Sequence, residues 1–252
     1  MNHAKKLELA EKGIHINDTT FSLYSHLNNL DETSIFELSL YPANFSSQCI
    51  NRFENFNSQF YPVGTQGLSD IQNGEIGSYR KTVYDESLAD LLTLMILPQL
   101  PKFVTTTNLS PVDTGTEEDT VWHLDCVSPL FRYMRYKNGG EHFAHYDAPY
   151  VTDNETRTLF SGVLYLTTNE VFTRFILDNQ FNIPFSQRDT KDWTIPLEES
   201  DKHIYAAKKS VENTCIIFPH GVCHDVSKNI EGKDRIIIRF DIQCIKVYKN
   251  EN

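Results

Sequence analysis

His145 and Asp147, together with the distant His224, are the residues of this chain best suited to metal chemistry. On a β-strand, side chains two residues apart point to the same face, so His145 and Asp147 can approach one metal ion. Two imidazoles and one carboxylate form the facial triad that holds Fe(II) in non-heme oxygenases and leaves about three coordination positions open. The spacing therefore predicts a metal site able to activate dioxygen.

The His-x-Asp spacing is weak by itself, because His123 and Asp125 form a second pair of the same kind. The distal ligand is also ambiguous, since His220 precedes His224 by only four residues and either could return to the first pair. The surroundings favour the pair at 145 and 147. The spacing does not choose between the two later histidines.

Two arginines flank an apolar run near the end of the chain, Arg235 before three isoleucines and Arg239 after them. A guanidinium on the inner face of a barrel can bind the carboxylate of a co-substrate. We expect Arg235 to serve in this way. Arg239 is expected to pair with an acidic group of the protein such as Asp234 or Asp241.

Composition excludes several classes of protein. The net charge of −11 and the pI near 5.2 are unlike a nucleic-acid-binding surface, which needs clustered lysine and arginine. No apolar run reaches the ~20 residues of a membrane span, and the first residues lack the core of a signal peptide. Five scattered cysteines without a Cys-x-x-Cys pair are typical of reduced thiols. We therefore predict a cytoplasmic protein that binds neither nucleic acid nor membrane.

The fold class is predicted from the spacing of apolar residues. The stretch from Asp85 to Leu97 has apolar residues at helical spacing and ends at a proline, which predicts a helix. Thr105 to Thr120 is polar and predicts an exposed loop, whereas Ile35 to Leu40 and Leu7 to Lys12 fit helix or strand equally. Later β-rich runs predict strands at Leu130–Tyr136, Leu159–Leu166, Phe172–Leu177, Asn213–Phe218 and Arg235–Val247. Short strands without intervening helices favour an antiparallel jelly roll.

The order of several motifs resembles the prolyl 4-hydroxylase-like family of 2-oxoglutarate- and iron(II)-dependent dioxygenases. The motifs are Phe131 to Gly140, Phe143 to Asp147, Thr173 to Ile176, Ile217 to His224 and Arg235 to Asp241. They cover roughly residues 80 to 245. The resemblance implies a double-stranded β-helix that binds Fe(II) and 2-oxoglutarate, with ascorbate as a candidate reductant. It also implies hydroxylation of an unactivated C–H bond by dioxygen, with release of succinate and CO2.

The resemblance assigns roles to particular residues. It implies that His145, Asp147 and His224 bind the metal, with His220 in support, and that Tyr136 helps to bind 2-oxoglutarate. Arg235 matches the family's basic residue for the distal carboxylate, but stands eleven rather than ten positions after His224.

The family has a Gly-Gly-Glu-Thr turn at this point of the sequence. Here Thr173 matches its threonine, whereas Glu170-Val171-Phe172 replaces the other three residues. That replacement weakens any inference about substrate.

The regions that choose a substrate match least well. We expect residues 1–80 to form an N-terminal supporting cap in the same domain as a core over 81–252, and Asp178 to His203 to act as a lid. The substrate is either a peptidyl residue such as proline or a free amino acid or other small molecule. Arg80 and Arg174 could meet an acidic substrate group, although such arginines are more often solvated.

The alternative to an oxygenase is a cupin-like module that holds zinc in a closed structural site without redox turnover. Such a site would use Cys215 or Cys223 as a ligand. Metal analysis and a test for 2-oxoglutarate binding separate the two hypotheses.

Overall fold

The computed structural model describes residues 20–22, 35–40, 42, 44–63, 77–106, 120–177 and 203–247 of the 252-residue chain. The strands within these ranges are β1 (Thr20–Ser22), β2 (Phe36–Ser39), β3 (Tyr61–Pro62), β4 (Ser78–Tyr84), β5 (Phe103–Thr106), β6 (Thr120–Val127), β7 (Leu130–Tyr136), β8 (His142–His145), β9 (Val151–Asp153), β10 (Thr156–Tyr165), β11 (Phe172–Ile176), β12 (Ile204–Lys209), β13 (Thr214–Pro219), β14 (His224–Val226) and β15 (Arg235–Val247). The helices are α1 (Phe45–Glu54) and α2 (Glu86–Ile96), and a 3-10 turn, Leu97–Gln99, follows α2. Neither described helix has the length and apolar character needed to cross a membrane.

Two β-sheets, largely antiparallel, build the described part of the chain. The larger sheet follows the order β1-β5-β6-β15-β10-β13-β2, with β3, β4, β7 and β9 attached beside this path. The smaller sheet has the order β12-β11-β14-β8. This mainly β, jelly-roll architecture with helical additions confirms the predicted fold class.

Strand β15 lies at the centre of the larger sheet. One edge pairs with β10, and the other pairs with β7 along Arg235–Arg239 and with β6 along Ile242–Val247. Both faces of the strand are also buried along most of its length, which explains its nearly continuous apolar sequence. The predicted bounds of β7 and β15 are confirmed, and the bounds of the other predicted strands differ from the observed ones by at most three residues.

Helix α2 confirms the predicted helix. Its N-cap is Asp85, whose side chain accepts a hydrogen bond of 3.1 Å from the backbone amide of Leu88. Its buried face consists of Leu88, Ala89, Leu92 and Ile96. This face packs beside β6, so the helix covers the larger sheet.

Elements from the first 84 residues are integrated into the larger sheet. Strand β2 pairs with β13, and β4 pairs along the whole of β7. The Lys81 ammonium of β4 donates hydrogen bonds to the carbonyl oxygens of Phe53 and Phe56, at the end of α1 and just beyond it. The assignment of residues 1–80 as a cap within one domain stays a prediction.

Some segments resolve or correct the sequence predictions, and others lie outside the residues that the structure describes. Ile35 to Leu40, ambiguous by period, contains a strand because it adds to the edge of β13. The predicted loop from Thr105 to Thr120 is too long, since β5 runs to Thr106 and β6 begins at Thr120. The run from Leu7 to Lys12, the middle of that loop and all but the last residue of the predicted lid lie outside the described residues.

Candidate metal and co-substrate site

The pairing of β8 with β14 brings the two predicted histidine ligands together. His145 is the last residue of β8, His224 is the first of β14, and the two are paired directly in antiparallel register. Their ring centroids are 4.3 Å apart. Segments almost eighty residues apart in sequence therefore place two imidazoles at one point of the smaller sheet.

Asp147 completes the cluster from just beyond the end of β8. The expectation that it lies on the same strand as His145 is wrong, because β8 ends at His145. Even so, one ligand atom from each of His145, Asp147 and His224 lies within 4.8 Å of the others. The described residues contain this single cluster with metal-ligating geometry.

Hydrogen bonds set the orientation of both imidazoles. The Nδ1 atom of His145 lies 2.7 Å from the carbonyl oxygen of Phe143, and that of His224 lies 3.0 Å from the carbonyl oxygen of Val222. Because a carbonyl oxygen only accepts, each Nδ1 must carry the proton. Each Nε2 then holds a lone pair, which is the state that binds a metal.

Burial keeps His224 and its neighbour His142 neutral. Burial, followed by the proximity of His145, lowers the pKa of His224 to about 3. Burial also places the pKa of His142 well below its usual range. A neutral imidazole can coordinate a cation without first losing a proton.

Asp147 is held in its charged form by two groups of the larger sheet. The Ser161 hydroxyl donates a hydrogen bond of 2.5 Å to Oδ2, and the Arg239 guanidinium lies 3.0 Å from Oδ1. Burial alone would raise the pKa of Asp147, but the positive charge of Arg239 holds this pKa well below its usual range. The carboxylate is thus oriented and available as an anionic ligand.

A second carboxylate connects this arrangement to the sheet. Asp241 Oδ1 lies 2.8 Å from Arg239 Nη2 and 3.2 Å from His220 Nε2. Its Oδ2 accepts a hydrogen bond of 2.9 Å from Arg132. The prediction that Arg239 pairs with acidic groups of the protein is confirmed, and His220 lies outside the metal-ligating cluster.

Arg235 is fully buried at the start of β15. Its Nη2 atom donates a hydrogen bond of 2.8 Å to Thr173 Oγ1, and its guanidinium lies 5.0 Å from the ring of Tyr136 and 5.3 Å from that of Tyr165. Its Nε and Nη1 atoms have no hydrogen-bond partner among the described residues. A buried guanidinium with two unused donor groups is suited to an anion.

Tyr136 and Thr173, the other predicted co-substrate residues, line the same cavity as the metal cluster. This cavity has a volume of about 280 Å³. Burial raises the pKa of Tyr136 to about 12, so its hydroxyl stays protonated and can donate to a carboxylate. The residues that would suit a dicarboxylate chelated to a metal are therefore the three-residue cluster, the hydroxyl groups of Tyr136 and Thr173, and the Arg235 guanidinium bonded to Thr173.

The remaining candidates lie elsewhere. His123 and Asp125 are on β6 and take no part in the metal-ligating cluster. Arg174 makes a bidentate ion pair with the buried Asp225, with both bonds 2.7 Å long. None of the cysteines belongs to the cluster or forms a disulfide.

Two residues that the sequence analysis missed contribute to the site. Ser161 lies opposite Asp241 in the pairing of β10 with β15, so strand alternation turns it towards the cavity. That pairing is not readable from sequence. His142 stacks on His145 with centroids 4.1 Å apart, although residues three apart on a regular strand face opposite ways.

Comparisons with known proteins show the fold of this chain alone. No family model matches this chain, and no curated protein matches its sequence. HygX from Streptomyces hygroscopicus, solved with nickel and 2-oxoglutarate, is 10% identical over 90% of this chain and 88% of its own, with a TM-score of 0.50. The non-heme alpha-ketoglutarate-dependent carbocyclase SnoK, from nogalamycin biosynthesis, is 10% identical over 86% of this chain and 85% of its own, also with a TM-score of 0.50.

A Pseudomonas putida prolyl-4-hydroxylase, 13% identical over 86% of this chain and 96% of its own, has a TM-score of 0.46. The likeness to HygX and SnoK, each with a TM-score of 0.50, shows that this chain shares the jelly-roll-like fold of known 2-oxoglutarate-dependent oxygenases.

Proposed function

We propose that this protein is a 2-oxoglutarate- and Fe(II)-dependent dioxygenase that hydroxylates an unactivated C–H bond. The observation that carries the proposal is the convergence of His145, Asp147 and His224 within 4.8 Å, together with the buried guanidinium of Arg235, whose Nε and Nη1 atoms have no hydrogen-bond partner among the described residues. Arg235 would supply the cation for the distal carboxylate of 2-oxoglutarate. The site also has three protein ligands for a metal, with the remaining positions open.

The donor set favours iron over structural zinc. A closed zinc site uses four protein ligands, commonly with cysteine thiolates, whereas this cluster offers two nitrogens and one oxygen. Burial strongly raises the pKa of Cys215, which keeps that thiol protonated and unsuited to a metal. Nothing among the described residues favours the cupin-like zinc module.

The protein's own part in the reaction is placement and charge. His145 and His224 would present lone pairs, and Asp147, fixed by Ser161 and Arg239, would supply a negative charge on the same face. Arg235, Thr173 and Tyr136 would orient 2-oxoglutarate. When bound, Fe(II) supplies the redox chemistry. One dioxygen, one 2-oxoglutarate and one C–H bond give one C–OH bond, succinate and CO2.

The substrate is proposed at the level that the sequence supports. The proposed substrate is a peptidyl residue such as proline, or a free amino acid or other small molecule. The protein is proposed to act in the cytoplasm.

The decisive experiment measures Fe(II)-dependent conversion of 2-oxoglutarate to succinate. We expect the wild-type protein to form succinate and Asp147→Ala to form none, because the triad loses its charged ligand. Asp125→Ala is the matched control, since it removes the aspartate of the other His-x-Asp pair and should leave turnover intact. Undiminished succinate formation by Asp147→Ala would overturn the assignment, as would tightly held zinc without 2-oxoglutarate binding.

A further inference from the structure

Three arginines from different strands meet on one wall of the cavity. Arg80 in β4, Arg132 in β7 and Arg239 in β15 all line it. Arg132 is paired with Arg239 across β7 and β15, and Arg80 is paired with Met134, two residues along β7. Because side chains alternate along strands, this register places all three guanidinium groups on the inner face of the sheet.

Two of these arginines are already neutralised by carboxylates. Arg239 lies 3.0 Å from Asp147 and 2.8 Å from Asp241, and Arg132 donates to Asp241 at 2.9 Å. Arg80 forms no ion pair or hydrogen bond with any residue in the described ranges. Part of its side chain is exposed, so it can also meet molecules that enter from solvent.

The contrast with its neighbour Lys81 shows that Arg80 has no evident structural task. The Lys81 ammonium is buried on the other face of β4 and satisfies the carbonyl oxygens of Phe53 and Phe56, at 3.1 and 3.0 Å. Lys81 therefore stabilises the C-terminal end of α1. Arg80 projects towards the cavity and the metal-ligating cluster.

Arg80 stands in a field of like charge. Partial burial, followed by the positive charges of Arg132 and Arg239, lowers the pKa of Arg80. A guanidinium nevertheless remains protonated at physiological pH. The repulsion is therefore not relieved by deprotonation, but an anion bound between Arg80 and Arg132 would relieve it.

Binding of Fe(II) and 2-oxoglutarate would not neutralise the excess positive charge of these arginines. Four arginines, at positions 80, 132, 235 and 239, face two carboxylates, Asp147 and Asp241, in and beneath the cavity. Fe(II) and doubly charged 2-oxoglutarate would cancel each other, and the distal carboxylate would occupy Arg235. The positive charge that remains includes Arg80, which lines the cavity and is accessible to solvent.

We propose that the substrate carries an anionic group, a carboxylate or a phosphate, and that Arg80 binds this group at the cavity wall beside Arg132 and His142. This inference rests on the proposed function, since it places the reacting C–H bond between the anionic group and the metal. The planar fork of a guanidinium suits both anions, because each offers two oxygens for paired hydrogen bonds. A substrate with a neutral or cationic group at this point would leave Arg80 unpaired.

The test begins with the wild-type protein loaded with Fe(II) and 2-oxoglutarate. Calorimetry without oxygen measures binding of two probes, inorganic phosphate and N-acetylglycine, against the neutral N-acetylglycinamide. Succinate formation is then measured with pairs of N-acetyl amino acids and their carboxamides. We expect the anionic probes to bind and the neutral amide not to bind. Compounds that stimulate turnover should be anions.

The variants locate the site. Arg80→Gln should weaken binding of the anionic probes roughly tenfold or more, as expected for the loss of a charge-assisted pair of hydrogen bonds. Arg80→Lys keeps the charge but not the fork and should bind with intermediate affinity. Arg135→Gln is the matched control, because Arg135 lies on the opposite face of β7 and pairs with Glu54. Thermal unfolding of each variant confirms that it folds.

The outcomes separate the two proposals. A wild-type protein that forms no succinate with Fe(II) and 2-oxoglutarate overturns the proposed function. If succinate formation is normal, three results would overturn the anion inference and leave the proposed function standing. Neither anionic probe binds, the stimulating compounds are neutral, or Arg80→Gln binds the probes like the wild type. For a stimulating anion, Arg80→Gln should raise KM for the acid and leave KM for the matching amide unchanged.

Discussion

Replacing Arg235 with leucine tests whether this arginine serves a ligand or the fold. The guanidinium is fully buried, with one hydrogen bond to Thr173 and two aromatic rings about it. Losing that bond costs about 1.5–3 kcal/mol, and losing each ring contact costs about 0.5–1 kcal/mol. Removing an ion from a dry site returns several kcal/mol of desolvation free energy, so the terms nearly cancel. We expect the free energy of unfolding without ligands to change by less than about 1 kcal/mol.

The ligand-bound protein should behave differently. A ligand at a hundred times its Kd stabilises the folded state by about 2.7 kcal/mol. Wild-type protein with metal should show this shift in urea unfolding when 2-oxoglutarate is added at that excess. Arg235→Leu should not show it, because the distal carboxylate has lost its cation. Urea titrations with a chelator, and then with Mn(II) and 2-oxoglutarate, measure both quantities.

Arg174→Leu is the control for burial of a paired arginine. Its guanidinium forms a bidentate pair with Asp225, which is fully buried. Removing one partner of such a pair costs about 3–5 kcal/mol, because the remaining charge loses its compensation. If Arg235→Leu were destabilised as much as Arg174→Leu in the absence of ligands, or kept the 2-oxoglutarate shift, the reasoning about Arg235 would be refuted.

Three further predictions concern stability and pH. Asp241→Asn should lower the free energy of unfolding by about 3 kcal/mol in chelator, since it removes the carboxylate between Arg132 and Arg239, whereas Asp234→Asn, at a half-buried position, should cost less than about 1 kcal/mol. Gly162→Ala should cost about 1–3 kcal/mol in the same urea assay, because the new methyl group would lie 2.2 Å from the Phe240 ring. Burial raises the pKa of Asp85, but hydrogen bonds from Arg52, the Leu88 amide and Ser87 outweigh it and lower this pKa below its unfolded value. The difference in the free energy of unfolding between wild type and Asp85→Asn should therefore be greatest above the unfolded pKa and should shrink as pH falls through the lower folded pKa. Urea titrations between pH 2 and 6 measure this difference. A difference that does not change with pH would contradict the explanation.

The sequence is informative where local pattern decides the structure. The helix after Asp85 has a capping residue, regular apolar spacing and a terminating proline, and each of these acts within a few residues. Strands β7 and β15 are long apolar runs bounded by polar residues, so their ends are marked. The bounds of these elements could therefore be predicted closely.

Features that depend on strand pairing could not be predicted. Ser161 contacts Asp147 only because β10 and β15 pair in one register, and a shift of one residue would turn it outwards. The stacking of His142 on His145 contradicts the alternation of a regular strand. The metal-ligating residues themselves were accessible because their chemistry is visible in residue type and their order follows a known family.

An unpaired guanidinium does not by itself identify a ligand site, as Arg157 shows. This residue is buried, its Nε and Nη1 atoms have no hydrogen-bond partner among the described residues, and it lies 4.7 Å from the ring of Trp122. It does not line the cavity that contains the metal-ligating cluster. Arg235 differs because it bonds Thr173, which lines that cavity, and Arg80 differs because it lines the cavity directly. Unused donors indicate a ligand where open space faces them, so Arg157→Leu should leave 2-oxoglutarate and anion binding unchanged, and a loss of either would contradict this criterion.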